Sequence, residues 1–135
     1  MIDYSRYPRP ESISFFEEAM RGHSNVSGFT KMDEYYYKIL RHDMSPVNVV
    51  ITNYYTIGYD ELLDILEEYP NANCVITISN WNGYTEQAYN VGKSRNVGVF
   101  KADEFLGAIN FERPCSYIRP RDREDNRKFG KRLGS

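Results

Sequence analysis

Residues 47–79 read VNVVITNYYTIGYDELLDILEEYPNANCVITIS, and this stretch holds two apolar β-strand patterns separated by one amphipathic helix pattern. In residues 47–55, the Val, Ile and Thr side chains favour a strand that is covered on both faces. Residues 59–69 repeat apolar side chains about every 3.6 positions, which predicts a helix that ends at Pro70. Residues 73–79 are almost continuously apolar, as is typical of a buried parallel strand.

The chain continues with the same alternation. A helix is predicted at residues 84–92, a strand at residues 97–100 and a helix at residues 102–109. Because strand–helix–strand connections within one sheet are almost always right-handed crossovers, the strands of this half are expected to be parallel neighbours.

The first part of the chain predicts one helix and a meander of strands. Residues 12–21 have an amphipathic helix pattern, with Ser14 and Glu17 as a capping box. Strands follow at residues 26–31 and 35–41, before a turn at 42–46. The whole order is helix, three strands, helix, strand, helix, strand, helix. It predicts an α/β fold with a central mixed sheet and helices on both faces.

Length and charge divide the chain into three parts. The 135 residues suffice for one domain with a substantial core. An extended N-terminal arm is expected at residues 1–10, an α/β domain at 11–111 and a basic, flexible C-terminal tail at 112–135. Residues 1–111 carry nine basic and fifteen acidic side chains, a net charge of −6, whereas the tail carries eight basic and four acidic ones, a net charge of +4.

The composition argues against several classes of protein. The sequence has no apolar run of membrane-spanning length and no secretion-signal pattern at its start, so a cytoplasmic protein without membrane contact is expected. Cys74 and Cys115 form no paired motif and no histidine lies at metal-ligand spacing, so neither a disulfide nor a zinc site is expected. The sequence contains no GxGxxG and no Walker loop.

Aromatic side chains make up 15% of the sequence, with twelve tyrosines. This is more than a core of this size needs, which indicates rings at a surface or an interface. A homodimer through an exposed sheet edge would use such rings, although nothing in the sequence selects it.

Two predicted loops, residues 53–58 and 80–84, follow strands that are expected to be adjacent and parallel, so they should lie side by side at one edge of the sheet. The second loop carries Trp81, Asn82 and Tyr84, whose rings and amide are suited to stack on nucleic-acid bases and to bind their edges. In the alternative interpretation, Trp81 and Tyr84 cover the core beneath the helices and Asn82 belongs only to a turn.

Residues 74–109, CVITISNWNGYTEQAYNVGKSRNVGVFKADEFLGAI, resemble the closing half of the Mrr-type members of the PD-(D/E)xK nuclease superfamily. The shared pattern comprises an apolar strand ending at Ser79, Tyr84 and Thr85 opening a helix with Ala88 three positions on, a short strand, and then Glu104, Phe105 and Leu106. The resemblance implies a restriction-endonuclease-like fold, a three-layer sandwich around a mixed sheet.

The catalytic motif that the resemblance implies is incomplete. Such nucleases bind Mg²⁺ through two carboxylates and place a lysine beside the attacking water. Asp33 is suited to be the first carboxylate and metal ligand, and Lys38 is a candidate for a displaced lysine. The third strand, however, offers Ile51, Thr52 and Asn53 where Glu-x-Lys would lie. The sequence therefore predicts a retained fold without nuclease chemistry and without a cofactor; a nuclease built on Asp33, Lys38 and Asn53 would need Mg²⁺.

Seven basic residues of the tail are candidates for nucleic-acid binding, because arginine and lysine neutralise phosphates and release counterions. They are Arg119, Arg121, Arg123, Arg127, Lys128, Lys131 and Arg132. In the alternative interpretation, the tail folds back onto the acidic body.

The leading hypothesis is a non-catalytic restriction-endonuclease-like module that binds nucleic acid or a nucleic-acid-processing protein, as a defence or mobile-element regulator. One alternative is a small Mg²⁺-dependent nuclease with a non-standard active site. Another is an acidic protein-interaction inhibitor that blocks a DNA-binding surface.

Overall fold

A five-stranded sheet lies at the centre of the computed structural model, which describes residues 6–79 and 81–123. The elements are α1 (Pro10–Gly22), β1 (Val26–Asp33), β2 (Tyr36–Arg41), β3 (Met44–Thr52), β4 (Thr56–Ile57), α2 (Tyr59–Glu68), β5 (Cys74–Thr77), β6 (Gly83–Tyr84), α3 (Glu86–Ser94), β7 (Gly98–Lys101), α4 (Ala102–Ala108) and a 3₁₀ turn (Pro114–Ser116). Every helix and strand predicted from the sequence is present, and the two-residue strands β4 and β6 are additions.

The strands of the sheet lie in the order β1-β2-β3-β5-β7. The pairs β1–β2 and β2–β3 are antiparallel, which confirms the predicted meander. The pairs β3–β5 and β5–β7 are parallel, which confirms the predicted crossovers. Strands β4 and β6 form a separate parallel pair.

Helices cover both faces of the sheet, and successive strand residues point to opposite faces. Helices α1 and α4 pack on one face, where Phe16 and Phe105 join Ile51 in one apolar cluster. Helices α2 and α3 pack on the other face, where Leu62 and Ala88 lie in a second cluster. The chain is therefore an α/β sandwich, as predicted. None of the helices within the described ranges has the length and apolar character needed to cross a membrane.

Helix α1 begins at Pro10, two residues before the predicted start. Proline suits the first helical position because its φ is already helical and no backbone donor is needed there. Ser14 consequently lies inside the helix, so the predicted capping box of Ser14 and Glu17 is wrong. Glu17 instead accepts a hydrogen bond of 2.6 Å from the hydroxyl of buried Tyr37.

The β2–β3 hairpin turns at Asp43, whose φ of 55° lies in the left-handed region that Asp tolerates. The buried guanidinium of Arg41, at the end of β2, binds the chain that follows α4. It donates hydrogen bonds to the carbonyl oxygens of Ile109 (3.1 Å), Phe111 (2.5 Å) and Glu112 (3.0 Å). The hairpin thereby holds the start of the C-terminal segment, residues 109–123, against the domain.

Gly92 of α3 gives a direct test of the packing between this helix and β7. A Cβ at Gly92 would lie 2.8 Å from the Val97 carbonyl oxygen and 2.8 Å from a Val99 methyl carbon. We expect Gly92→Ala to lower the free energy of unfolding by about 1–2 kcal/mol, because this overpacking exceeds the gain in helix propensity. Urea denaturation followed by circular dichroism measures the change. Gly28→Ala is the control, since a Cβ there meets nothing within 4 Å, and an equal loss in both variants would contradict the prediction.

Candidate functional site

Two loops follow neighbouring parallel strands and lie side by side at the carboxyl edge of the sheet. The first, residues 53–58, follows β3, and the second, residues 80–84, comes after β5; Asn80 is outside the described residues. The backbone N–H of Gly83 donates to the Tyr55 carbonyl oxygen at 2.8 Å. The pairing of β4 with β6 continues this contact. The predicted juxtaposition of the two loops is confirmed.

Hydrogen bonds from the buried Asn82 side chain connect the two loops. Its side chain is only 8% exposed. The amide nitrogen lies 3.0 Å from the Asn53 carbonyl oxygen, 3.2 Å from Asn53 Oδ1 and 3.1 Å from Thr77 Oγ1. Thr77 in turn donates its hydroxyl to the Tyr54 carbonyl oxygen at 2.6 Å. The predicted base-reading amide of Asn82 is therefore engaged within the protein, where it fixes the loops.

Trp81 and Tyr55 lie on these two loops and are exposed to solvent. The Trp81 side chain is 87% exposed and the Tyr55 side chain is 73% exposed. The alternative interpretation, that Trp81 covers the core, is wrong, because this residue is almost fully exposed. Two large rings thus face solvent on adjoining loops.

Tyr84 behaves as the alternative interpretation expected, since it packs partly against both apolar clusters. Its ring stacks on Tyr89 with 5.7 Å between the centroids. Its hydroxyl lies 2.9 Å from each carboxylate oxygen of Glu104. Burial, together with the Glu104 carboxylate, raises the pKa of Tyr84.

Arg119, in the segment after α4, is buried against the first turn of α3 and is only 4% exposed. It donates two hydrogen bonds to Glu86, at 2.7 and 3.0 Å, and two to Asp122, at 2.7 and 3.3 Å. Its guanidinium also lies 3.7 Å from the centroid of the Tyr89 ring. Burial alone would lower the pKa of Arg119, but the hydrogen bonds to these carboxylates outweigh burial and raise it. Four of its five N–H donors are bound to these carboxylates, so in this arrangement Arg119 is largely engaged within the protein.

The other described arginines of the predicted tail also contact the domain. Arg121 donates to Glu86 at 2.7 Å and stays largely exposed. Arg123 donates to the Ile118 carbonyl oxygen at 2.8 Å and lies over the Tyr117 ring. Pro114, Cys115 and Tyr117 are buried, so the part of the predicted flexible tail up to residue 123 is packed against the domain. Four of the predicted binding residues lie outside the described residues: Arg127, Lys128, Lys131 and Arg132.

A cavity of about 340 Å³ connects this C-terminal segment with the loop edge. Its lining includes Gly83 of the second loop, Tyr84, Glu104 and three cations. The cations are Lys101, Arg119 and Arg121. Within residues 6–79 and 81–123, the Lys101 ammonium has no ion-pair partner.

The candidate nuclease residues have separate partners. The Asp33 carboxylate accepts hydrogen bonds from the Tyr35 N–H and the Tyr69 hydroxyl, both at 2.9 Å. Lys38 is exposed in the middle of β2, and Asn53 is bound to Asn82. Among the described side chains, no group of three or more His, Cys, Asp or Glu residues is placed to hold a metal ion.

Sequence reasoning missed the partners of Arg119. Glu86 and Tyr89 lie on α3, 33 and 30 positions earlier in the chain, and no local pattern links them to Arg119. Tyr55 was visible in the first loop, and the β4–β6 pairing joins that loop to the one that carries Trp81. Comparisons of the chain with protein families, curated proteins and solved structures found no match.

Arg119 gives a pH-dependent prediction. Its hydrogen bonds lower the pKa of Glu86 and of Asp122 below the ordinary range. Carboxyls with lowered pKa values stabilise the fold above their ordinary pKa of about 4 and lose that contribution as the pH falls through the lowered values. We expect Arg119→Ala to lower the free energy of unfolding by about 2 kcal/mol at neutral pH and by progressively less in acid, as measured by urea titrations at several pH values.

Arg121→Ala is the matched control, because its exposed ion pair with Glu86 contributes less than about 1 kcal/mol. A loss in Arg119→Ala that does not change with pH would contradict the electrostatic account and assign the effect to packing alone.

Proposed function

We propose that this chain is a non-catalytic binding module of the restriction-endonuclease-like type, and that it contacts nucleic acid through the carboxyl edge of its sheet. The observation that carries the proposal is the exposure of Trp81 and Tyr55 on two adjoining loops. Base stacking on such rings contributes about 1–3 kcal/mol per base and tolerates any sequence.

The loops beneath the rings support a role in binding. The backbone hydrogen bond between Gly83 and Tyr55 and the buried Asn82 amide hold the two loops together. Little backbone ordering is then required when a base stacks, which favours affinity. Large rings that face solvent on a fixed base are typical of sites that bind a partner.

The distribution of charge favours one path for a phosphate backbone. Lys101 and Arg121 flank the cavity next to Gly83, and the sequence adds the basic residues of the C-terminal tail. The α2 helix carries Asp60, Glu61, Asp64, Glu67 and Glu68. These carboxylates repel phosphate, so the nucleic acid is expected to avoid that helix.

The element order supports the restriction-endonuclease-like part of the proposal. A helix, an antiparallel meander and parallel crossover strands follow one another as the resemblance implies.

The structure gives less support to a catalytic role. The β2 and β3 positions that face α1 include Tyr37, Val49 and Ile51, all buried in the apolar cluster. An Mg²⁺ ion would find no pair of carboxylates there.

The proposal is tested by fluorescence anisotropy with labelled single-stranded DNA, duplex DNA and RNA in the presence of Mg²⁺. We expect binding that weakens steeply with salt and leaves the probes intact. Trp81→Ala and Tyr55→Ala should each raise the Kd about tenfold or more, because each removes a stacking surface.

Met32→Ala is the matched control, since Met32 is an exposed apolar side chain on β1, away from the two loops. Unchanged affinity in both ring variants, or no binding at low salt, would refute the proposed interface. Cleavage of the probes that is lost in Asp33→Ala would instead support the nuclease alternative.

A further inference from the structure

An apolar groove lies between α1 and α4, on the face of the sheet opposite α2 and α3. Its floor is formed by Ile76 and Ile78, at the end of β5. Phe15 and Leu106 line its two sides. The Phe15 side chain is 58% exposed, although it belongs to a helix whose neighbouring Phe16 is fully buried.

The groove has room for a side chain of a partner. The cavity between the helices has a volume of about 90 Å³, which suits one aliphatic side chain and is well below the roughly 300–1,000 Å³ of clefts for drug-sized ligands. A second cavity, of about 260 Å³, shares Phe15 and Ile78 and continues the groove to Ser79. The groove is therefore elongated, with an apolar end between the helices and a more polar end at Glu11, Ser12 and Ser79.

The charges around the groove are acidic. Glu11 and Asp103 line the two cavities, and exposed Glu18 follows Phe15 on α1. The lining of both cavities contains no Lys or Arg. None of these three carboxylates is ion-paired with another described residue, whereas the neighbouring Glu17 is bound by Arg21 and Lys31.

We infer that this groove docks a basic segment of a partner protein, with apolar side chains against Phe15 and Ile78 and Lys or Arg side chains against the acidic rim. The apolar floor requires an apolar ligand, and the unpaired carboxylates favour a cationic one. The same carboxylates repel nucleic acid and anionic membranes. The groove reaches Ser79, next to the second loop, but its lining includes neither Trp81 nor Tyr55, so docking here does not depend on nucleic-acid binding by those rings.

The test uses the full chain and a labelled short amphipathic peptide of leucine and lysine, with a matched peptide that carries glutamate in place of each lysine. Fluorescence anisotropy should detect binding of the lysine peptide alone, weakening with salt. Phe15→Ala should raise the Kd about tenfold, and Asp103→Asn should raise it severalfold. Met32→Ala and Glu67→Gln, which alter exposed side chains elsewhere, should leave it unchanged.

Equal binding of both peptides, or equal binding by all four variants, would overturn the inference. A dimer in light scattering that Phe15→Ala dissociates would show that a second copy occupies the groove, and would also overturn it. Binding by a Phe129→Ala/Leu133→Ala double variant but not by the unaltered chain would show that residues 124–135 of the chain itself are the occupant, again against a separate partner.

Discussion

The parallel pairing of β3 with β5 is the constraint on which the rest of the structure depends. Its register places Thr52 opposite Thr77, so both strands end at the same level. The loops that follow must then meet, and Thr77 takes part in the hydrogen bonds that join them. Because both faces of these strands are buried, a shift of register would expose apolar side chains and separate the loops.

Much of the fold could be predicted because its elements have strong local patterns. The apolar runs of β3 and β5 and the 3.6-residue stripe of α2 fix a crossover, and the crossover fixes which loops are neighbours. The sequence left Trp81 open between an exposed ring and one that covers the core, since β4 and β6, which join the two loops, are too short to show any periodicity. The burial of Arg119 depends on Glu86 and Tyr89, which are distant in sequence.

Two surfaces of opposite chemistry lie on this scaffold. The loop edge carries exposed rings beside Lys101 and Arg121, whereas the groove between α1 and α4 is apolar with a rim of unpaired carboxylates. Arg41 and Arg119 hold the C-terminal segment along the domain as far as residue 123. The sequence left open whether the basic tail is free or folds back onto the acidic body; the ion pairs of Arg119 and Arg121 with Glu86 neutralise part of the tail's charge against the domain.

Trp81 is the only tryptophan of the chain, so its intrinsic fluorescence reports directly on the loop edge. The most direct test of the account is to titrate the protein with unlabelled single-stranded DNA while recording this emission. Stacking on the exposed ring predicts saturable quenching that is reversed by salt. Emission that stays unchanged at DNA concentrations that saturate binding in an independent assay would place the contact elsewhere and contradict the account.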